Sequence, residues 1–161
     1  MSIITMEFDE LINHIKQDTV QKRFNAKVFL LNNFTAYFKL VQTLSDMADL
    51  TIQLSDDEYC TGEDTIPAVK KALDTLNVHE DKNILIPSVG EYLRYGFSFE
   101  ERNRCVFSII SRQAHSDKRV WIPIYAEKDE YLAVVGELDE EHYPDVVYEV
   151  NGLPSGFETT V

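Results

Sequence analysis

The sequence predicts an α/β domain in which a mostly parallel, open sheet of four to five strands lies between helices on both faces, giving three layers. Short apolar runs rich in β-forming residues alternate with longer segments whose apolar residues recur at helical spacing. With 44% hydrophobic residues, 6 Gly and 5 Pro, the chain has the composition of a folded protein. Strands that alternate with helices indicate crossover connections and therefore parallel pairing.

The length of the chain suits a single domain. A protein of 161 residues buries about 70% of the surface that its unfolded form exposes, which is enough for a hydrophobic core. We place this domain at residues 1–150. Residues 151–161 contain Gly and Pro and have no periodicity, so we expect a linker or a disordered tail there.

The first half of the chain predicts helix, strand, helix and strand in that order. Residues 5–17 have helical periodicity, and residues 26–31 (AKVFLL) form a continuous apolar run that predicts a buried strand. Asn33 is a suitable N-cap for a helix over residues 34–48, and residues 50–54 predict the next strand. The apolar positions are Phe8, Leu11, Ile12 and Ile15 in the first helix, and Tyr37, Phe38, Val41, Leu44 and Met47 in the second.

The second half continues the same alternation. Its segments are a helix at residues 66–76, a strand at 83–86, a long helix that begins at the capping box of Ser98 and Glu101, a strand at 119–124, a helical segment at 129–140 and a strand at 146–150. We expect the strand at 83–86 in the middle of the sheet. Pro123 removes an amide donor from its strand, which should therefore lie near an edge or stop pairing at this residue.

The charge balance bears on possible partners. Acidic residues outnumber basic residues 28 to 15, and the formal net charge is -13. Because binding to nucleic acid depends on Lys and Arg that displace counterions, we do not expect nucleic acid as a partner of the whole domain. The same charge disfavours anionic membrane surfaces. Residues 94–119 are locally basic, so a nucleic-acid contact confined to this segment is left open as an alternative.

The sequence indicates a soluble cytoplasmic protein. Its N-terminus is charged and interrupted, and no apolar run approaches the roughly 18 residues that a membrane span requires. The 2 cysteines, Cys60 and Cys105, lie far apart and have neither a CxxC partner nor a neighbouring histidine. We therefore predict neither a disulfide framework nor a zinc site.

The common catalytic and cofactor motifs are missing. The turn after residues 26–31 is Asn32-Asn33-Phe34-Thr35 and has no glycine, so the fold would be Rossmann-like without a glycine-rich phosphate loop. Ser88 lacks the G-x-S-x-G context of a hydrolase nucleophile, and the 4 histidines lie in separate segments. The acidic turn around Asp56 has oxygen ligands for a hard cation, but a solvated turn is the simpler interpretation. We expect no cofactor, no metal and no catalytic residue, which leaves enzymatic activity of this domain without support.

The best candidate for a binding site is the stretch at residues 82–94, KNILIPSVGEYLR, where a strand is followed by a turn and a helix start. Ligands of open α/β sheets bind beyond the carboxyl ends of the strands. Amides at a helix start attract anions, and Arg94 offers a fork of donors, although a purely structural role is the alternative. The candidate ligand-binding residues at the strand ends are Asn32, Asp56, Ser88, Glu91, Arg94 and Tyr125.

Three segments of the chain resemble a known family. LSDDEYCTGEDTIP, KNILIPSVGEYLRYG and RVWIPIYAEKDEY are similar to the N-terminal α/β region of PglZ-type proteins, which belong to bacterial phage-defence (BREX-like) systems. The resemblance covers residues 26–130 and includes no catalytic signature. It implies the front module of a longer protein, with metal-dependent phosphatase-like chemistry in a downstream domain. The metal-binding residues of that chemistry have no counterparts in this sequence.

The missing motifs and the alternating pattern favour one function over another. We expect a non-catalytic interaction or assembly domain, the N-terminal module of a larger bacterial protein, whose partner is another protein or another domain of the same chain. The alternative is a small nucleotide- or anion-binding enzyme that uses the loops at the strand ends.

Overall fold

The computed structural model describes residues 3–17, 25–51, 83–87, 106–107, 110, 118–131, 135–136, 138, 141–143 and 145–155. Within these residues the elements are β1 (Ile4–Glu7), α1 (Phe8–Gln17), β2 (Ala26–Leu31), α2 (Phe34–Met47), β3 (Leu50–Thr51), β4 (Asn83–Leu85), β5 (Arg119–Tyr125), a short 3-10 helix (Lys128–Glu130) and β6 (Val147–Asn151). The predicted helix at 66–76 and the predicted capping box of Ser98 and Glu101 lie outside the described residues. None of the described helices is long and apolar enough to cross a lipid bilayer.

The strands form one six-stranded sheet in the order β1-β6-β2-β5-β4-β3. Every pair of neighbouring strands is parallel, which confirms the predicted α/β class with an open sheet. The strand that the sequence analysis missed is β1, since residues 5–7 were wrongly included in the first helix. Local periodicity did not reveal β1 because it is an edge strand whose partner, β6, comes from the other end of the chain.

Alternate strand residues pack on opposite faces of the sheet. The first face carries side chains such as Phe29 and Trp121 and packs against α1 and α2. The second face carries the alternate strand residues and packs against helical residues that include Val106, Ile110 and Val135. Helical residues therefore lie on both faces, as the sequence predicted.

β5 lies in the centre of the sheet, between β2 and β4. Of the two placements expected for the strand with Pro123, the edge position was wrong. The amides of Val120 and Ala126 donate to carbonyls on the β2 side at 3.3 and 3.0 Å. Because alternate amides point to opposite neighbours, position 123 faces β4, which pairs with β5 only from Asn83 to Leu85. The missing donor of Pro123 thus falls just beyond that pairing, which confirms the second placement.

The two central strands are β2 and β5, so the expectation that residues 83–86 form the middle of the sheet was wrong. β4 is separated from one edge only by β3. Ile84 and Leu85 are nevertheless completely buried, one on each face. The apolar run in the sequence reported this burial on two faces, which does not depend on a central position.

α2 begins as predicted, after the N-cap Asn33. The side-chain oxygen of Asn33 accepts a hydrogen bond from the Ala36 amide at 3.0 Å, and the cap residue has extended backbone geometry. Phe38 was expected on the buried stripe of this helix, but that was wrong because its side chain is 50% exposed. The buried residues of α2 are Ala36, Tyr37, Leu40 and Leu44.

Residues 151–155, the described part of the predicted tail, continue directly from β6. Gly152 has a φ of 75°, and a Cβ at this position would lie 2.7 Å from Glu7 Oε2. Glycine suits this turn because it adopts positive φ freely and leaves room for the carboxylate. The Ser155 amide donates to the two carboxylate oxygens of Asp9 at 3.2 and 2.9 Å, which attaches this segment to α1.

Candidate functional site

Two adjacent central strands send their connections to opposite faces of the sheet. β2 leads into α2 on the first face, whereas Tyr131, Val135 and Leu138, which follow β5, pack on the second face. Because β2 and β5 are neighbours, the chain diverges at their carboxyl ends. Such a topological switch point is where open α/β sheets form a binding crevice. The topology thus favours the ends of β2 and β5 over the end of β4, where the sequence analysis placed its best candidate.

Two of the predicted ligand-binding residues lie at this switch point. Leu31 and Tyr125 are partners in the β2–β5 register, so Asn32 follows β2 beside the end of β5. Asn32 is exposed and Tyr125 is half-buried. The Ala126 amide donates to the Leu31 carbonyl at 3.0 Å and holds the strand ends together. The other predicted residues, which stay predictions because they lie outside the described residues, are Asp56, Ser88, Glu91 and Arg94.

Aromatic rings line the switch point on the first face. The Tyr125 ring centroid lies 5.7 Å from that of Phe34, in edge-to-face geometry, and 6.2 Å from that of Tyr37. Tyr37 is buried, whereas Phe34 is 58% exposed. Aromatic pairs in such arrangements contribute about 0.5–1.5 kcal/mol beyond the burial of their area. The contacts with Tyr125 and Tyr37 therefore orient the Phe34 ring while leaving much of it open to solvent.

Phe38 extends these rings along α2. It lies one helical turn after Phe34, so the two side chains are neighbours on the helix surface. Phe34 and Phe38 are the exposed large hydrophobic side chains of the described residues. We call Phe34, Phe38 and Tyr125 the aromatic surface. Contiguous exposed apolar side chains rimmed by polar residues are typical of binding sites.

The polar groups near the aromatic surface are largely engaged in the fold. The Asn33 side chain caps α2, whose first turn contains no acidic residue. On the β5 side, Glu127 caps the 3-10 helix, and its amide donates to Glu130 Oε1 at 3.4 Å. In the part of the chain that the structure describes, no group of three or more His, Cys, Asp or Glu could hold a metal ion. The arrangement offers apolar contact with polar groups at its margin.

Arg119, which belongs to the locally basic segment at residues 94–119, is used inside the fold. Its Nε donates to Asn83 Oδ1 at 2.9 Å, and its Nη1 donates to the Ile15 carbonyl at 3.2 Å. The guanidinium also lies 5.5 Å from the centroid of the Trp121 ring. Arg119 thus joins the amino ends of β4 and β5 to the end of α1, which counts against it as a contact for phosphate.

A second polar feature lies on the second face of the sheet. Tyr131 follows the 3-10 helix and is 5% exposed, and its hydroxyl has no hydrogen-bond partner among the described residues. Burial, together with the charges of Glu149 and Glu127, raises the pKa of Tyr131 to about 12. The phenol therefore keeps its proton at neutral pH, where it can both donate and accept a hydrogen bond.

Sequence reasoning did not identify Phe34, Phe38 or Tyr131 as candidates. Phe34 was taken only as the first residue of a helix, and Phe38 as part of its buried stripe. The available signal was their spacing, since two Phe residues four positions apart directly after a strand end lie on one helix surface. For Tyr131 the sequence holds no such signal, because the lack of a hydroxyl partner depends on how distant segments pack around it.

The fold and the site together define a parallel, open α/β domain with an aromatic surface at its topological switch point. Comparisons with protein-family models, with curated proteins and with solved structures found no match to this chain. The resemblance to PglZ-type proteins accordingly stays a prediction from the sequence.

Proposed function

We propose that this domain is a non-catalytic interaction module that binds a protein partner through the aromatic surface. The observation that carries the proposal is the exposure of Phe34 and Phe38, 58% and 50%, beside the switch point. Exposing large apolar rings to water is unfavourable, whereas an interface would bury them. Aromatic side chains are frequent anchors of interfaces because they bury a large area and have few rotatable bonds.

The charge of the chain indicates the chemistry of that partner. With a net charge of -13, the protein attracts a partner whose binding surface has a basic rim, and repels one that is acidic. The first turn of α2 carries no acidic residue, so the centre of the surface is apolar and uncharged. Interfaces typically combine such a centre with a charged rim. The partner should therefore present apolar side chains surrounded by Lys and Arg.

Site-specific photo-crosslinking in cells of the native host tests this proposal. The photoreactive residue p-benzoylphenylalanine replaces Phe38 in one variant and Asn13, an exposed residue of α1, in the control. We expect a discrete protein adduct from position 38 and none from position 13. Adducts of equal yield from both positions, or none from position 38, would contradict a partner at the aromatic surface.

The captured protein then allows a quantitative test. Phe38→Ala should weaken its binding by about tenfold or more, since interface anchors contribute more than about 1 kcal/mol each. Gln42→Ala, an exposed change one turn further along α2, should leave the affinity within about twofold. Association should slow as salt is added, because the steering by opposite charges is screened. An affinity unchanged by Phe38→Ala would rule out the proposed surface.

The proposal includes a wider setting for the module, in the cytoplasm and at the front of a longer bacterial protein of the PglZ type. What supports this setting is the similarity of the three segments within residues 26–130, together with the absence of a disulfide pattern from the sequence. Sequencing the native gene beyond the codon for Val161 tests it. We expect the reading frame to continue into a phosphatase-like domain, and an immediate stop codon would contradict this.

A second candidate function is a small nucleotide- or anion-binding enzyme. The observation that favours it is that Asn32 and Tyr125, predicted from the sequence as ligand-binding residues, both lie at the switch point. Thermal unfolding with nucleotides and divalent cations tests this candidate. Saturable stabilisation that is lost in Asn32→Ala, but kept in Asn13→Ala, would support it. No shift at concentrations of about 1 mM would exclude affinities of physiological use.

A further inference from the structure

The Tyr131 hydroxyl is a buried polar group that the fold leaves unsatisfied. The residue is 5% exposed and packs in the core of the second face, and its hydroxyl has no hydrogen-bond partner among the described residues. Buried hydroxyl groups are almost always hydrogen-bonded, because an unmade bond costs the desolvation of the group without compensation. An orphan of this kind is therefore a candidate for contact with a ligand.

The surroundings of this hydroxyl are acidic. The charges of Glu149 and Glu127 both act on it. Glu149 lies in β6 between Tyr148 and Val150, which pack on the first face, so its own side chain is on the second face with Tyr131. In the register of the sheet Glu149 pairs with Thr5 of β1 and with Leu30 of β2.

A third carboxylate lies on the same side of the sheet. In β1, Ile4 and Met6 pack on the first face, so the alternate residues Thr5 and Glu7 are directed to the second face. Both are exposed. Glu7 pairs with Asn151, two residues beyond Glu149, which places these two carboxylates diagonally across β1 and β6. The orphan hydroxyl is thus part of a corner of the sheet with a strongly negative potential.

We propose that this corner, formed by Tyr131, Glu149 and Glu127, binds a small organic cation through a primary ammonium group. An ammonium carries both features that the corner lacks, a positive charge and several N–H donors. The Tyr131 oxygen accepts one of these hydrogen bonds, while the carboxylates compensate the charge. The proposal is independent of the aromatic surface, which lies on the first face.

Other ligand classes fit the corner less well. An anion would be repelled by the carboxylates, and a neutral apolar group would leave the hydroxyl unsatisfied. A divalent metal ion requires several oxygen or nitrogen ligands at short distance, and the described side chains contain no group of three or more that could supply them. The ammonium group needs only one acceptor and a negative potential.

Isothermal titration of the full chain with putrescine at constant ionic strength tests the proposal. Tyr131→Phe removes only the hydroxyl, and Glu149→Gln removes only a charge. The control is Glu10→Gln, which makes the same change of net charge on an exposed residue of α1, on the first face. A second probe, tetramethylammonium, has the same charge type but no N–H donor.

The expected result is saturable binding of putrescine that weakens by about tenfold in Tyr131→Phe and in Glu149→Gln, because each loses one charge-assisted contact. The control should stay within about twofold of the unmodified chain, and tetramethylammonium should bind at least about tenfold more weakly. No saturable heat up to about 10 mM putrescine would overturn the proposal. Equal affinity in Tyr131→Phe, or equal binding of tetramethylammonium, would overturn it as well, since the hydroxyl would then make no contact.

Discussion

Tyr131 illustrates how a single residue can carry an energetic cost inside an otherwise apolar core. Its ring packs with the strand residues of the second face, but its hydroxyl finds no partner among the described residues. Asn33 is the opposite case, since its side chain satisfies a helix amide that would otherwise lack an acceptor. The first residue destabilises the isolated domain and the second stabilises it.

Tyr131→Phe is therefore expected to stabilise the protein in the absence of ligand. The substitution keeps the ring and removes the unsatisfied hydroxyl, which should raise the free energy of unfolding by about 1 kcal/mol. Urea unfolding at neutral pH measures the difference. A loss of stability would show that the hydroxyl is satisfied within the fold.

The same residue predicts a change of stability at high pH. Its folded-state pKa, raised to about 12, lies above the ordinary value of 10.0, so the unfolded chain loses this proton first. The contribution is complete below pH 10 and is lost as the pH rises from there towards 12. Relative to Tyr131→Phe, the unmodified chain should lose up to about 1.4 kcal/mol per pH unit in this range. Unfolding curves of both proteins that run parallel across the range would contradict the raised pKa.

At the scale of elements, α2 connects the core to the candidate site. One stripe of the helix, which includes Tyr37, Leu40 and Leu44, is buried against the first face, while Phe34 and Phe38 point outward. Its N-terminus is fixed by Asn33 at the end of β2, so the aromatic surface is held next to the switch point. The cap and the buried stripe thus determine where the exposed rings lie.

The cap can be tested with two neighbouring asparagines. Asn33→Ala should lower the free energy of unfolding by about 1 kcal/mol, because the Ala36 amide loses its acceptor. Asn32→Ala removes the same functional group from an exposed position and should change stability by less than about 0.5 kcal/mol. Chemical unfolding of the two variants gives the comparison. Equal effects would mean that Asn33 is not the cap.

The orientation of α2 can be tested by truncating one residue on each side of the helix. Leu40, which is completely buried, should cost about 3 kcal/mol when changed to Ala. Phe38→Ala removes a larger side chain but should cost less than about 0.5 kcal/mol beyond the small difference in helix propensity, since half of the ring is already in water. Thermal or chemical unfolding measures both. A larger effect at Phe38 would place it in the core.

At the scale of the whole molecule, strand order decides where a crevice forms. β2 and β5 are central and adjacent, and their connections leave to opposite faces. The strand with Pro123 is central because its missing amide donor falls beyond the end of β4. The position of the candidate site therefore follows from the path of the entire chain rather than from a local motif.

Amide hydrogen exchange tests this topology. Amides of the central strands, such as those of Leu30 and Ile122, should exchange only through global unfolding. Amides of the edge strand β1 should exchange faster, because opening an edge disturbs a single neighbour. Faster exchange in β5 than in β1 would contradict the central position of β5.

The sequence by itself determined the α/β class, the bounds of β2, the cap of α2 and two residues of the site, Asn32 and Tyr125. These features depend on local patterns, such as a continuous apolar run or a polar residue before a helix, which the chain displays without its fold. Burial of residues in later segments, such as Val106 and Val135, followed from the same periodicity.

Only the tertiary structure decided the order of the strands, the additional strand β1, the contact of Phe34 with Tyr125 and the isolation of the Tyr131 hydroxyl. Each depends on which distant segments meet. β1 forms because β6 pairs with it, and the exposure of Phe38 depends on which stripe of α2 the sheet covers. Local periodicity reports that a residue can be buried, whereas the packing of distant segments determines which residues are buried and which remain available for binding.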